Sequence, residues 1–129
     1  MLETALLMPW ILFLFAGTFD MGMYGYALIS TQNATRVAAT FTSSQNGRAN
    51  DSARACQYAL SEMSSLPNLR GVTSCDAYPL IVSAEAVTGV DGGDASNVSV
   101  TYQTVQLFPI PGLMGRLTVT RTAQMRVRK

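Results

Sequence analysis

Cys56 and Cys75 are the only cysteines in the chain, and they lie nineteen positions apart. That spacing is not the C-x-x-C of a redox motif. The pair can close a disulfide or remain as two unlinked core cysteines. The acids near the start are equally isolated. Glu3 and Asp20 flank an uncharged run from Thr4 to Phe19, and a carboxylate beside so much apolar surface needs either a partner or an aqueous boundary. Histidine is absent, which removes the imidazole base and, with only two cysteines, the common transition-metal ligand sets. Asp91-Gly92-Gly93-Asp94 offers oxygen ligands without the EF-hand pattern and reads as a turn. No convergent acid pair and no phosphate-cradling glycine loop is present. The expectation is a protein that is not an enzyme and holds no metal and no cofactor. Asn33, Asn50 and Asn97 each open an N-x-S/T triplet, a pattern common by chance.

The elements that must position these residues follow from how the apolar surface is distributed. The chain has 129 residues, 48% hydrophobic and 13% charged, with a net charge of +1. Without a basic excess there is no electrostatic footprint for nucleic acid. The apolar surplus is concentrated at the start, where Thr4 to Phe19 is uncharged and, after Asp20, no charge recurs until Arg36. No lysine or arginine precedes the run, so a cleaved secretory signal fits poorly. A bilayer-spanning helix needs roughly 20 apolar residues, which this segment supplies if Asp20 lies at the boundary.

Leu2 to about Ser44 reads as one long helix. Its first half is apolar on every face, the mark of a helix surrounded by lipid or by other helices. Pro9 removes a donor there, and Gly17, Gly22 and Gly25 each weaken a helix interior by about 1 kcal/mol, which makes the middle the place expected to bend. Trp10, Phe13, Phe15 and Phe19, with Tyr24 and Tyr26, are read as packing groups rather than an electron path. In the second half Ala27, Thr31, Ala34 and Ala38 form a small-residue stripe, while Gln32, Arg36 and Thr40 fall elsewhere. The chain therefore divides into an apolar helix, residues 1–26, and a globular head, residues 27–129, that includes the second half of the same helix.

In the head, Ser43 to Gly47 reads as a loop, and Asn50 or Asp51 caps a short helix to about Ser64, which Pro67 ends. Cys56, Leu60 and Met63 share one face. Beyond Cys75 the period becomes two. Leu80 to Val87, Asn97 to Leu107 and Leu117 to Val127 read as three strands, with a turn at Asp91–Asp94 and an apolar loop from Pro109 to Gly115. Three strands with one apolar face need a helix to cover them. The result is an α+β fold, a long N-terminal helix packed on a small antiparallel sheet like a ladle, with one short extra helix. Arg126, Arg128 and Lys129 form a small basic end, read as solvated.

The run Glu3-Thr4-Ala5-Leu6-Leu7-Met8-Pro9, Asp20 followed by Gly22, and Thr31-Gln32-Asn33-Ala34-Thr35-Arg36-Val37-Ala38 together resemble the TadE-like pilins of tight-adherence (Tad/Flp-type) pilus systems. So does the ending, in which a proline-rich apolar loop leads to a final strand closing on Ala123-Gln124-Met125. The family's glutamate is fifth in the mature chain and is third here, and a second arginine common after the first is Thr40 here. The resemblance implies insertion in the bacterial inner membrane, processing by prepilin peptidase and extraction by pilus assembly machinery. The product is an extracellular homopolymer held by its N-terminal helices and used for attachment. It implies that Glu3 pairs with the N-terminal amine of a neighbouring subunit. Asp20, by the cost of an acid in mid-bilayer, is read as lying where the helix leaves the membrane. In a chain that leaves the cytoplasm, Cys56 and Cys75 are expected to be oxidised.

Overall fold

The computed structural model describes residues 2–44, 48–106 and 115–128, and a single helix organises it. Helix α1, Leu2–Ser43, runs without interruption through Pro9, Gly17, Gly22 and Gly25. The stripe Ala27, Thr31, Ala34 and Ala38 is fully buried, and Gln32, Arg36 and Thr40 are exposed. Small side chains let the sheet approach the helix backbone closely. The polar ones enter the core with their hydroxyls bonded one turn back: Thr31 Oγ1 donates to the Ala27 carbonyl (2.7 Å), Thr35 Oγ1 to the Thr31 carbonyl (2.6 Å) and Thr42 Oγ1 to the Ala38 carbonyl (3.0 Å). A buried hydroxyl satisfied in this way carries little desolvation cost.

Helix α2, Ser52–Glu62, is capped by Asp51, whose carboxylate accepts from the Arg54 N–H at 3.1 Å. It ends earlier than expected. Met63 is its C-cap, bonding back to the Ala59 carbonyl, and the buried Met63 side chain turns the chain inward before Pro67 is reached. Pro67 does not end α2 but opens a separate 3-10 turn, Pro67–Leu69, a first-turn position at which its missing N–H costs nothing. Cys56 and Met63 are buried and Leu60 is half-buried.

The sheet has four antiparallel strands in the order β1-β2-β3-β4: Asp76–Ala77, Leu80–Thr88, Asp94–Gln103 and Thr118–Arg126. The strand missed from sequence, β1, is two residues long, too short for any alternation to show; it pairs Asp76 with Ile81 and Ala77 with Leu80. The β2–β3 turn closes through the Gly89 N–H on the Gly93 carbonyl (2.7 Å) and the Gly92 N–H on the Gly89 carbonyl (2.9 Å). Gly92 has φ +76°, so β3 starts at Asp94 rather than Asn97. It stops at Gln103: Thr104 still faces Leu117 in the same register and its N–H donates to the Leu117 carbonyl (2.8 Å), but the Leu117 N–H goes to the Thr104 hydroxyl (3.0 Å) instead of the Thr104 carbonyl. Leu107, residues 109–114 of the expected apolar loop, residues 45–47 of the first loop and Lys129 lie outside the described residues.

Val98, Val100 and Tyr102 from β3, with Leu80, Val82 and Ala84 from β2, form the sheet's share of the core; Ala55, Cys56, Ala59 and Met63 come from α2. On β4, Val119 is buried and Ala123 half-buried, whereas Met125 is largely open beside Thr40 at the sheet's edge. Beyond the end of the strand Val127 is buried again.

Candidate functional site

The first half of α1 has no interior of its own. From Glu3 to Tyr26 no described side chain is fully buried. Trp10 is 67% and Phe13 48% exposed, and the large apolar residues point to all sides. Such a surface calls for lipid or for other helices, and α1 is long and apolar enough to cross a membrane. Among the predicted site residues the structure brings together Phe15 and Phe19, stacked at 6.4 Å between ring centroids. Trp10 and Phe13 have no ring partner among the described residues. Pro9 is exposed within the continuous helix. Thr18 is one of the few polar residues there, and its hydroxyl donates to the Leu14 carbonyl at 2.8 Å. Gly17, Gly22 and Gly25 have open space where a Cβ would stand, so nothing among the described residues requires glycine at these positions.

Glu3 is exposed at the start of the helix, where an acid complements the helix dipole. Seventeen residues later, about 25 Å along the axis, Asp20 sits where the helix meets the head. It lines a cleft of about 70 Å³ with Gly17, Tyr24, Leu66, Tyr102 and Leu117, and it is the only charged residue on the described walls. No cation pairs with it among the described residues. Above it, Tyr102 Oη donates to Asn68 Oδ1 (2.5 Å), and Asn68 Nδ2 donates to the Gln103 carbonyl (2.9 Å). Burial pushes the Tyr102 hydroxyl above its ordinary pKa, and the bond to Asn68 partly offsets this. Tyr26 Oη and Ser65 Oγ lie 2.7 Å apart, a tie between the helix and the head.

At the far end, α1, α2 and the sheet are fastened together. Cys56 and Cys75 are joined by a disulfide, with Cα atoms 5.7 Å apart, which links α2 to the residue just before β1. Phe41 of α1 stacks on Tyr58 of α2 at 3.9 Å. The Ala84 N–H of β2 donates to Ser52 Oγ at 3.1 Å, so the opening residue of α2 satisfies a strand that has no neighbour there. The Thr42 and Ser96 hydroxyls lie 2.8 Å apart, and Ser96 also reaches the Ala49 carbonyl at 2.8 Å. Arg126 pairs with Asp91 at 3.0 Å and Arg54 with Asp51 at 3.4 Å; both pairs are solvent-facing, where such contacts contribute little.

Sequence reasoning missed two features. Ile29, level with the head, is 61% exposed on the side of α1 away from the sheet. The signal for it was an apolar residue outside the Ala27–Ala38 stripe. The Asn68–Tyr102 contact joins residues thirty-four positions apart and left no local trace. Among the described residues no three His, Cys, Asp or Glu side chains come close enough to hold a metal ion.

Neither a curated protein nor a solved structure matches the chain. The family model described as TadE-like protein matches residues 1–40, a stretch that ends inside α1 and includes none of the head's other elements. The N-terminal helix of this chain is therefore similar to that family over residues 1–40 and is carried on an α+β head.

Proposed function

We propose that the protein is a structural pilin subunit, not an enzyme, that polymerises through its apolar N-terminal helix into an extracellular Tad-type filament serving adhesion or surface attachment. The observation that carries this reading is the first half of α1: apolar on every side, exposed all round, and continuous with a helix whose second half is built into a folded head. In the inner membrane, lipid covers that surface. Once subunits leave the bilayer, burial of apolar area at about 25 cal/mol per Å² drives the helices together. Glu3 near the helix start then meets the N-terminal amine of a neighbour, and prepilin peptidase and the assembly machinery act on the same segment.

Electron microscopy of material sheared from producing cells, with mass spectrometry of the same sample, tests the reading. Abundant filaments composed mainly of this chain are expected. Filaments holding only traces of it assign it instead to a minor subunit that primes assembly. Retention in the membrane fraction with no filament removes the polymer and leaves a bitopic membrane protein with an outer binding domain.

A further inference from the structure

Among the described arginines Arg48 alone is half-buried; the others are exposed. Its guanidinium has no hydrogen bond and no ion pair among the described residues, and a partly desolvated cation without an acceptor is costly. Arg48 lines a cleft of about 230 Å³ between the end of α1 and the start of α2. The other charges on the described walls are Arg54 and Asp51, which are engaged with each other: their side chains pair at 3.4 Å, and the Asp51 carboxylate also accepts the Arg54 N–H. Two arginines against one aspartate leave a single uncompensated positive charge, and it sits on Arg48. Beside it stand Phe41 and Tyr58, stacked ring on ring, with Phe41 46% exposed. The Tyr58 hydroxyl is unbonded among the described residues. The Ser44 hydroxyl donates to the Phe41 carbonyl at 2.8 Å, which leaves its oxygen able to accept. The cleft lies twenty-one residues beyond Asp20 along α1, about 30 Å along the axis, at the end of the head away from the apolar half of the helix.

We propose that this cleft binds one acidic sugar unit, a hexuronate, of a surface polysaccharide. The carboxylate takes the Arg48 guanidinium through paired N–H···O bonds, the geometry for which the guanidinium fork is suited. The partly positive C–H face of the pyranose ring meets the electron-rich wall of Phe41 and Tyr58, and the ring hydroxyls reach Ser44 and the Tyr58 hydroxyl. An apolar wall with a few placed polar groups is the ordinary make-up of a small-ligand site, and the volume has room for one such ring. An uncharged sugar leaves the guanidinium desolvated and unpaired; a bare anion uses Arg48 and leaves the aromatic wall wet. The inference supplies a ligand for the attachment reading above and rests on that reading for its use in the cell, whereas binding at the cleft needs no polymer.

The test uses the full chain in detergent micelles, titrated calorimetrically with digalacturonate. Digalacturonate is expected to bind and the uncharged galactose disaccharide is not. Arg48→Gln is expected to weaken binding by about tenfold or more, the loss of a charge-assisted contact. Arg48→Lys should recover part of it, because the charge returns without the fork. Arg70→Gln, which removes an exposed arginine outside the cleft, should leave binding unchanged. Four results overturn the proposal: the galactose disaccharide binding as tightly as digalacturonate, acetate or phosphate doing so, a peptide with a free C-terminal carboxylate doing so, or Arg48→Gln behaving like Arg70→Gln. Filament formation is scored separately in cells. Micellar chain that binds digalacturonate without ever forming filaments removes the polymer and keeps the cleft; filaments whose subunits bind no uronate remove the cleft and keep the polymer.

Discussion

Leu2–Ser43 is one unbroken helix built from two compositions. Before Ala27 the side chains are large, apolar and exposed; from Ala27 onward the residues turned toward the head are alanine, threonine and serine, and they are buried. The usual link between bulk and burial is inverted along a single element. Where this chain packs on itself, small side chains let a sheet lie against the helix backbone. Where large side chains stand, the described residues supply little to cover them. The first half is therefore adapted to an environment outside the molecule, and the second to the molecule's own core.

That contrast can be broken by substitutions whose effects should stay on one side of it. Replacing Cys56 and Cys75 together by serine is expected to cost the head about 3 kcal/mol in urea unfolding, in the chain-entropy estimate for a loop of this size. Membrane insertion of the first half should be unchanged; a loss of insertion would mean that the two halves are not independent. Ala38→Leu, which forces bulk between α1 and the sheet, is expected to destabilise the head by about 1–3 kcal/mol. Phe13→Ala, a larger change in side-chain volume, should leave the head's Tm within error. Thr42→Val removes the hydroxyl shared with Ser96 and is expected to cost about 1 kcal/mol in the same unfolding assay.

Two further measurements sharpen the comparison at smaller amplitude. Burial holds the Tyr102 pKa above its unfolded value. The folded head therefore retains that proton longer than the unfolded chain does, and the tyrosine's contribution is complete below the unfolded pKa of about 10. It declines as pH rises through the folded value. Thermal unfolding followed at rising alkaline pH should show a fall in Tm that Tyr102→Phe reduces. Gly17→Ala is expected to strengthen the first half by about 1 kcal/mol or less, seen as added helicity in a detergent micelle, with no shift in head stability. A shift would place Gly17 inside the head's cooperative unit.

Much of the plan was legible locally. The apolar run, the Ala27–Ala38 stripe, the Asp51 cap and the alternation in β2, β3 and β4 each follow from a period or a residue type that acts within a few positions. What failed to show were features with no local period. Strand β1 has only two residues, and Pro67 looked like a terminator although Met63, by sinking into the core, had already ended α2. The limits of β3 depended on Thr104 finding Leu117, thirteen residues away in the chain.

At the candidate site the division is the same. Sequence alone determined that the first half of α1 is apolar on all sides, that Glu3, Asp20 and Arg36 are its only charges from Leu2 to Ser43, and that one cysteine pair is available, because composition and helical spacing settle those points. Only the tertiary structure decided that Asp20 lines a cleft under the head beside Tyr102, that Ile29 and the glycines remain uncovered, and that Asn68 meets Tyr102. Each depends on where a sheet formed by distant residues comes to rest against the helix, and helical periodicity orders the faces of α1 without specifying which one the sheet will cover.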